Sequence, residues 1–209
     1  MKDKTRLVYG AGINDANYQV ARYEMVNDKR RKVWCCPFYV TWSSMIERCY
    51  SEKSLVKRPS YKGCTVCEEW LTFSNFRAWM AEQQWQDEAG KKLQLDKDLI
   101  SGTNRGKLYS PETCVFVSSD LNNFLVSEQS GRSGLPLGVA RHPSVGEKYR
   151  VQVNNPFTGK REHVGLFNTV SEAVVEYNNR KKEIAAQYAE IVTDPKLKKI
   201  LLDFKVHYA

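Results

Sequence analysis

The sequence predicts an α+β chain in two parts, an aromatic-rich N-terminal domain and a C-terminal three-stranded antiparallel sheet packed on one helix. Three observations lead there. Apolar residues recur at helical spacing in the first half, a Ser/Gly-rich stretch interrupts the chain near residue 130, and strand-like alternation followed by a helical stripe takes over beyond it. The length of 209 residues leaves room for one large domain or two small ones, and 42% hydrophobic with 27% charged residues is the balance of a folded chain.

Residues 1–33 read as a polar, loop-like N-terminal extension, with Gly10, Gly12 and Asn14-Asp15 as turn signals. A domain over 34–126 follows. Trp42, Met45, Ile46 and Cys49 repeat at i, i+3, i+4, i+7, and Phe73, Phe76 and Met80 mark a second helix that Thr72 could cap. Such a density of aromatics reads as a core, since stacking on exposed bases would need them at the surface. Gln94–Leu99 reads as a strand, Tyr109–Val117 as a turn into another, and Ser119–Phe124 as the opening of a helix.

Residues 127–136 read as a linker, and 137–192 as the second domain. Segments 138–142, 148–154 and 161–167 are its strands, the last two joined by a Pro- and Gly-containing turn at 155–159. Tyr149, Val151 and Val153 fall on one face of the middle strand, and Arg150, Gln152 and Asn154 on the other. Thr169-Val170-Ser171-Glu172 is a capping box, and Ala173, Val174, Tyr177, Ile184, Ala185 and Tyr188 form a stripe fit to cover the apolar face. The tail, 193–209, is an amphipathic helix with Leu197, Ile200, Leu201 and Phe204 in register. It either docks back or self-associates, which leaves the oligomeric state open.

Thirty-two Lys and Arg against twenty-four Asp and Glu give +8 and favour a polyanionic partner. Residues 1–60 hold twelve of the basic and six of the acidic side chains, with Lys29-Arg30-Arg31-Lys32 the densest cluster, a solvated turn or a phosphate contact. No apolar run is long enough to span a bilayer, and no apolar stretch follows Lys2, Lys4 and Arg6, so a cytoplasmic protein without membrane partners is expected. The six cysteines are then thiols. Cys64 and Cys67 have the spacing of half a Zn²⁺ site, which Cys35, Cys36 or Cys49 could complete, or the thiols serve as small hydrophobes.

The polar sheet face carries the more specific chemistry. Arg150, Gln152, Asn154, Arg161 and His163 are side chains that read base edges, with Arg bidentate to guanine and Gln or Asn to adenine. Lys148 sits at a strand end, where cations neutralise phosphates. The alternative is an ordinary solvated face.

Two resemblances overlie these readings. Leu137–His142, Lys148–Val153, His163–Thr169, Glu172-Ala173 and Tyr177-Asn178 together resemble the APETALA-two/ethylene-response-factor DNA-binding domain, over about sixty residues in the same order. That resemblance implies a sheet in the major groove of double-stranded DNA. It puts contact positions on Ala140, His142, Arg150, Gln152, Asn154, Arg161 and His163. Ala140 stands where the family often has Arg, and His163 where it often has Trp.

The central segment, with Gln94–Leu99, Tyr109–Val117 and Ser119–Phe124, resembles the ββα-metal HNH endonuclease motif. Cys36–Tyr39, Arg48–Tyr50, Tyr61–Cys64 and Glu69-Trp70 are similar to phage homing endonucleases of that group. The resemblance implies an HNH-like N-terminal domain in which Asp96 and Asn122 hold Mg²⁺. Lys97 then stands in the place of the general-base His and Thr113 in that of the orienting Asn. An ammonium with an ordinary pKa of about 10.4 cannot take a proton at neutral pH. Cys64, Cys67 and Zn²⁺ have no part in this site.

The function expected is double-stranded DNA binding of phage type with a degenerate nuclease core. Two alternatives stand beside it: an active Mg²⁺-dependent nicking endonuclease, and a protein-interaction factor in counter-defence or host takeover with a host protein as partner.

Overall fold

The computed structural model describes residues 7–101, 107–125, 134–143 and 146–204, which fall into two compact units divided after Phe116. Met1–Arg6, most of the expected 127–136 linker, and His207 lie outside the described residues.

In the first unit, much of the expected N-terminal loop is ordered secondary structure. Strands β1 (Ala21–Val26) and β2 (Lys29–Cys35) pair antiparallel across Asn27 and Asp28, which have φ of 49° and 56°. Two consecutive positive-φ residues make the type I′ turn whose twist suits a hairpin, and Asn and Asp tolerate it best after Gly. The segment before the hairpin is docked as well. Ile13 donates its N–H to the Leu71 carbonyl (2.8 Å) and accepts from Phe73 N (3.0 Å). Gly12 lies so near Trp42 that a Cβ there would stand 2.8 Å from the indole.

Helix α1 (Pro37–Tyr50) opens on a proline at its first turn and buries Trp42, Met45, Ile46 and Cys49, as their spacing predicts. Helix α2 (Glu52–Lys57) follows, then β3 (Thr65–Val66), α3 (Glu68–Leu71) and α4 (Phe73–Ala81). Thr72 occupies the N-cap of α4 without a side-chain bond. Asp15 Oδ1 accepts from Ser74 N instead, at 2.9 Å, so the cap comes from a distant part of the chain. The aromatic core expected here is present. Trp42 Nε1 donates to the Trp70 carbonyl (2.7 Å), and Trp70 meets Phe76 edge-on with ring centroids 5.1 Å apart.

Strand β4 (Gln94–Asp96) is shorter than the sequence suggests. Asp96 Oδ1 accepts from Asp98 N (2.8 Å) and Leu99 N (3.0 Å), which turns the chain into the short helix α5 (Asp98–Ser101). Strand β5 (Leu108–Tyr109) runs parallel to β3, and β6 (Val115–Val117) pairs with β4.

The second unit holds α6 (Ser119–Leu125), strands β7 (Val139–Arg141), β8 (Tyr149–Asn155) and β9 (Lys160–Phe167), and helices α7 (Val170–Ile191) and α8 (Pro195–Leu202). The sheet is antiparallel in the order β7-β8-β9 and packs on α7. Val139, Val151 and Val153 are buried on the face that also buries Ala173, Tyr177, Ile184 and Ala185 of α7. Gly138 has φ +78°, and any Cβ would fall 2.1 Å from the Tyr177 ring, so both backbone and space require glycine. Thr169 caps α7 by accepting from Glu172 N. The return bond runs from Asn168 N to Glu172 Oε2, one residue earlier than a capping box places it. Helix α8 docks on α7 through buried Leu197 and Leu201, and Phe204 stacks on Phe124 of α6 at 5.8 Å. Helix α6 therefore belongs with the C-terminal sheet, its apolar residues Leu121, Phe124 and Leu125 being buried there. No helix among the described residues is long and apolar enough to cross a membrane.

Candidate nucleic-acid interface

Register decides which side chains share the outer face of the sheet. Arg150 stands opposite Ala140 and Leu166, Gln152 opposite His163, and Asn154 opposite Arg161. A bulge between Val151 and Gln152 makes Val164 the unopposed residue, so the outward set on β9 shifts from Leu166 to His163 and Arg161. Without it, His163 would turn toward the helix. The outward positions thus hold Arg150, Gln152, Asn154, Arg161 and His163, with no carboxylate among them. Glu162 points the other way. Arg180 of α7 grips it through Nε (2.7 Å) and Nη2 (3.1 Å), and the Arg180 bonds hold its carboxyl below the usual range.

The face is not uniformly open. Asn154, Arg161 and His163 are exposed, as is Lys148 at its margin, while His142 is half-buried. Arg150 and Gln152 are half-buried too, and Arg150 Nε is buried with no hydrogen-bond partner among the described residues. Both line a recess of about 230 Å³ with Asn123 and Phe124 of α6. The reason is local. α6 packs against β8 and closes one side of the recess that holds both side chains.

The nuclease-like residues have other duties. Lys97 is buried, its ammonium bonded to Asp98 and lying 5.8 and 5.7 Å from the Tyr61 and Tyr109 ring centroids. Burial pulls its pKa down, but the bond to and charge of Asp98 raise it above the ordinary value, so it stays protonated. Thr113 holds a turn, donating to the Leu108 carbonyl (2.7 Å) and accepting from Ser110 N (3.0 Å). Asp96 spends one oxygen capping α5, and Asn122 lies on α6 in the other unit.

Cys64 and Cys67 have the Cys-x-x-Cys spacing, and the structure gives their backbone setting. They flank the extended β3, so three residues of strand, about 10 Å, separate them and an odd offset turns them to opposite faces. Among the described residues no group of three or more His, Cys, Asp or Glu is placed to hold a metal. Burial pushes the Cys49 and Cys114 thiols up to about 12, as suits small apolar groups.

No protein-family model, characterised protein or solved structure matches this chain. Two features passed unseen in the sequence. Lys181 is spaced i+4 from Tyr177 on the apolar stripe, a signal for a buried lysine. Asn27-Asp28 between two polar runs is a hairpin signal.

Proposed function

We propose that the chain is a double-stranded DNA-binding protein of phage type that lays the outer face of β7-β8-β9 in the major groove. The single observation carrying this reading is the carboxylate-free outward set of Arg150, Gln152, Asn154, Arg161 and His163. A sheet face of this width fits the groove, and these side chains carry the donors and acceptors that base edges present. Arg161, exposed at the strand end, is the phosphate or guanine contact, with Lys148 at the margin positioning the backbone. Arg150 reads a base from within the recess, where its unpartnered Nε keeps a donor in reserve.

The β4–β6 pair followed by α6 keeps the strand, strand, helix order of the ββα-metal motif. In this reading it is a retained scaffold that does not cleave, because the general-base position holds a protonated lysine.

Fluorescence anisotropy on labelled duplexes at about 50 and 200 mM salt tests the proposal, with affinity expected to fall by orders of magnitude across that range. Arg161→Ala lowers the salt slope by about one if it holds a phosphate, and Arg150→Ala costs about 1–3 kcal/mol on a preferred site. Supercoiled DNA with Mg²⁺ stays intact. Nicking that Asp96→Ala abolishes would establish the endonuclease instead. Absent duplex binding with a co-purifying host protein would favour the interaction factor.

A further inference from the structure

We infer that the trough at the root of the β1–β2 ribbon binds single-stranded DNA, with bases stacked on its tyrosines and phosphates held by Arg30 and Lys32. This site lies in the first unit and does not rest on the duplex-reading sheet.

The ribbon has no buried face. Every residue from Arg22 to Trp34 assigned to its strands is exposed, including Tyr23, Met25 and Trp34. Five cations, Arg22, Lys29, Arg30, Arg31 and Lys32, stand against Glu24 and Asp28. A two-stranded hairpin is marginal alone in water, so packing does not account for this composition. The ribbon is stiffened by cation–π pairs across its strands, with the Arg30 guanidinium 4.3 Å from the Tyr23 ring centroid and Arg22 5.4 Å from that of Trp34.

At its root lies an open trough of about 950 Å³, lined by Tyr9, Tyr18, Tyr23 and Tyr39 together with Arg30 and Lys32. That volume is at the upper end of what small-molecule sites enclose. Three of the four rings are exposed by about two-fifths, with Arg30 over the Tyr23 ring and Arg77 over that of Tyr18, so cations and rings already alternate along the trough. Burial, and Glu47 beside it, raise the Tyr9 pKa, and burial raises those of Tyr18 and Tyr39, which keeps these phenols neutral next to a polyanion.

Aromatic platforms interleaved with cations are the means by which proteins hold unpaired nucleic acid. A duplex would use the cations but offer nothing to the rings, because its base faces are already stacked. The tyrosines therefore select the single strand.

The test uses the full chain and two fluorescent probes, a thymidine oligonucleotide of about twenty nucleotides and a blunt duplex. Wild type is expected to bind the oligonucleotide. Tyr23→Leu keeps apolar bulk but removes the ring, and should weaken that binding roughly five- to 150-fold while leaving duplex affinity unchanged. Arg30→Gln with Lys32→Gln should weaken it further and flatten its salt dependence. Arg161→Ala should spare the oligonucleotide, so failure of the trough and failure of the sheet give different patterns. Oligonucleotide binding that Tyr23→Leu leaves intact, or equal losses on both probes, would overturn the inference. The ribbon has no buried residue for these substitutions to disturb, and circular dichroism of each variant verifies the fold.

Discussion

Among the described residues each unit buries one lysine, Lys97 in the first and Lys181 in the second, and they meet burial in opposite ways. Lys97 has a carboxylate, Asp98, and two tyrosine rings around it. Lys181 donates to the Phe124 carbonyl at the end of α6 and lies over Phe124, Tyr177 and Phe204, with a dipole and ring faces but no counter-charge among its described partners. The outcome follows. Asp98 raises the Lys97 pKa against desolvation, whereas desolvation lowers that of Lys181 from 10.5 to about 8. A single well-placed carboxylate outweighs burial, and a carbonyl with three rings does not. Lys181 thus trades charge stability for a tie between α6 and α7, and Lys97 keeps its proton despite its burial.

Alkaline titration should separate the units most strongly. Cys49 and Cys114 have folded pKa values raised from 9.0 to about 12, so between those values the unfolded chain loses protons first and stability falls as pH rises. By pH 10.5 each thiol has cost about 2 kcal/mol. Lys97, raised above its unfolded value, likewise loses its contribution as pH climbs through its folded value. Lys181 has the opposite sign. Its folded pKa lies below its unfolded one, so the second unit gains up to about 3 kcal/mol between pH 8 and 10.5. Tyr177, raised from 10.0 to about 12, begins to oppose that gain only above pH 10. All five tryptophans, Trp34, Trp42, Trp70, Trp79 and Trp85, lie in the first unit, so their fluorescence follows it alone. Helical circular dichroism reports both units, so the part of it that does not move with the tryptophans follows the second unit and its 22-residue α7. Denaturant midpoints from the two probes should diverge from pH 8 to pH 10. Parallel movement would mean the lysines are not differently held.

Replacing each lysine with methionine narrows the question. Lys97→Met strands Asp98, but that carboxylate is half exposed, so the loss is about 1–2 kcal/mol rather than the 3–5 of a fully buried pair. Lys181→Met removes a desolvated charge and leaves one helix-end carbonyl unpaired, opposing effects of about 3 and about 1–3 kcal/mol at neutral pH, with a small net gain expected. The denaturant midpoint should drop for the first and hold or rise for the second. A drop in both would show that the Lys181 bond to Phe124 matters more than its buried charge.

How legible these regions were in the sequence also differs, for a physical reason. β8 announces itself because one face is buried, which imposes alternation on Val151 and Val153 against Arg150, Gln152 and Asn154. The β1–β2 ribbon buries neither face, so no period of two is written into it and only the Asn27-Asp28 turn marks it. Strands β3 and β5 are two residues each, too short for any period. At the outer face, the residue types were readable and the half-burial of Arg150 and Gln152 was not, since that depends on where α6 packs. Likewise Asp96 looks like a ligand in sequence, and only its bonds to Asp98 and Leu99 reveal a cap.

The smallest contrast lies between two threonines at helix starts. Thr169 accepts from Glu172 N at 3.2 Å, whereas Thr72, in the same position on α4, makes no side-chain capping bond because Asp15 takes Ser74 N. Thr169→Ala should therefore lower the stability of the second unit by about 1 kcal/mol, the usual worth of such a cap. Thr72→Ala should leave the first unit within a few tenths of that, while Asp15→Ala should show the cap effect there instead. Thermal melts of the three variants decide it. A loss at Thr72 matching that at Thr169 would mean that the position, rather than the bond, sets the energy of the cap.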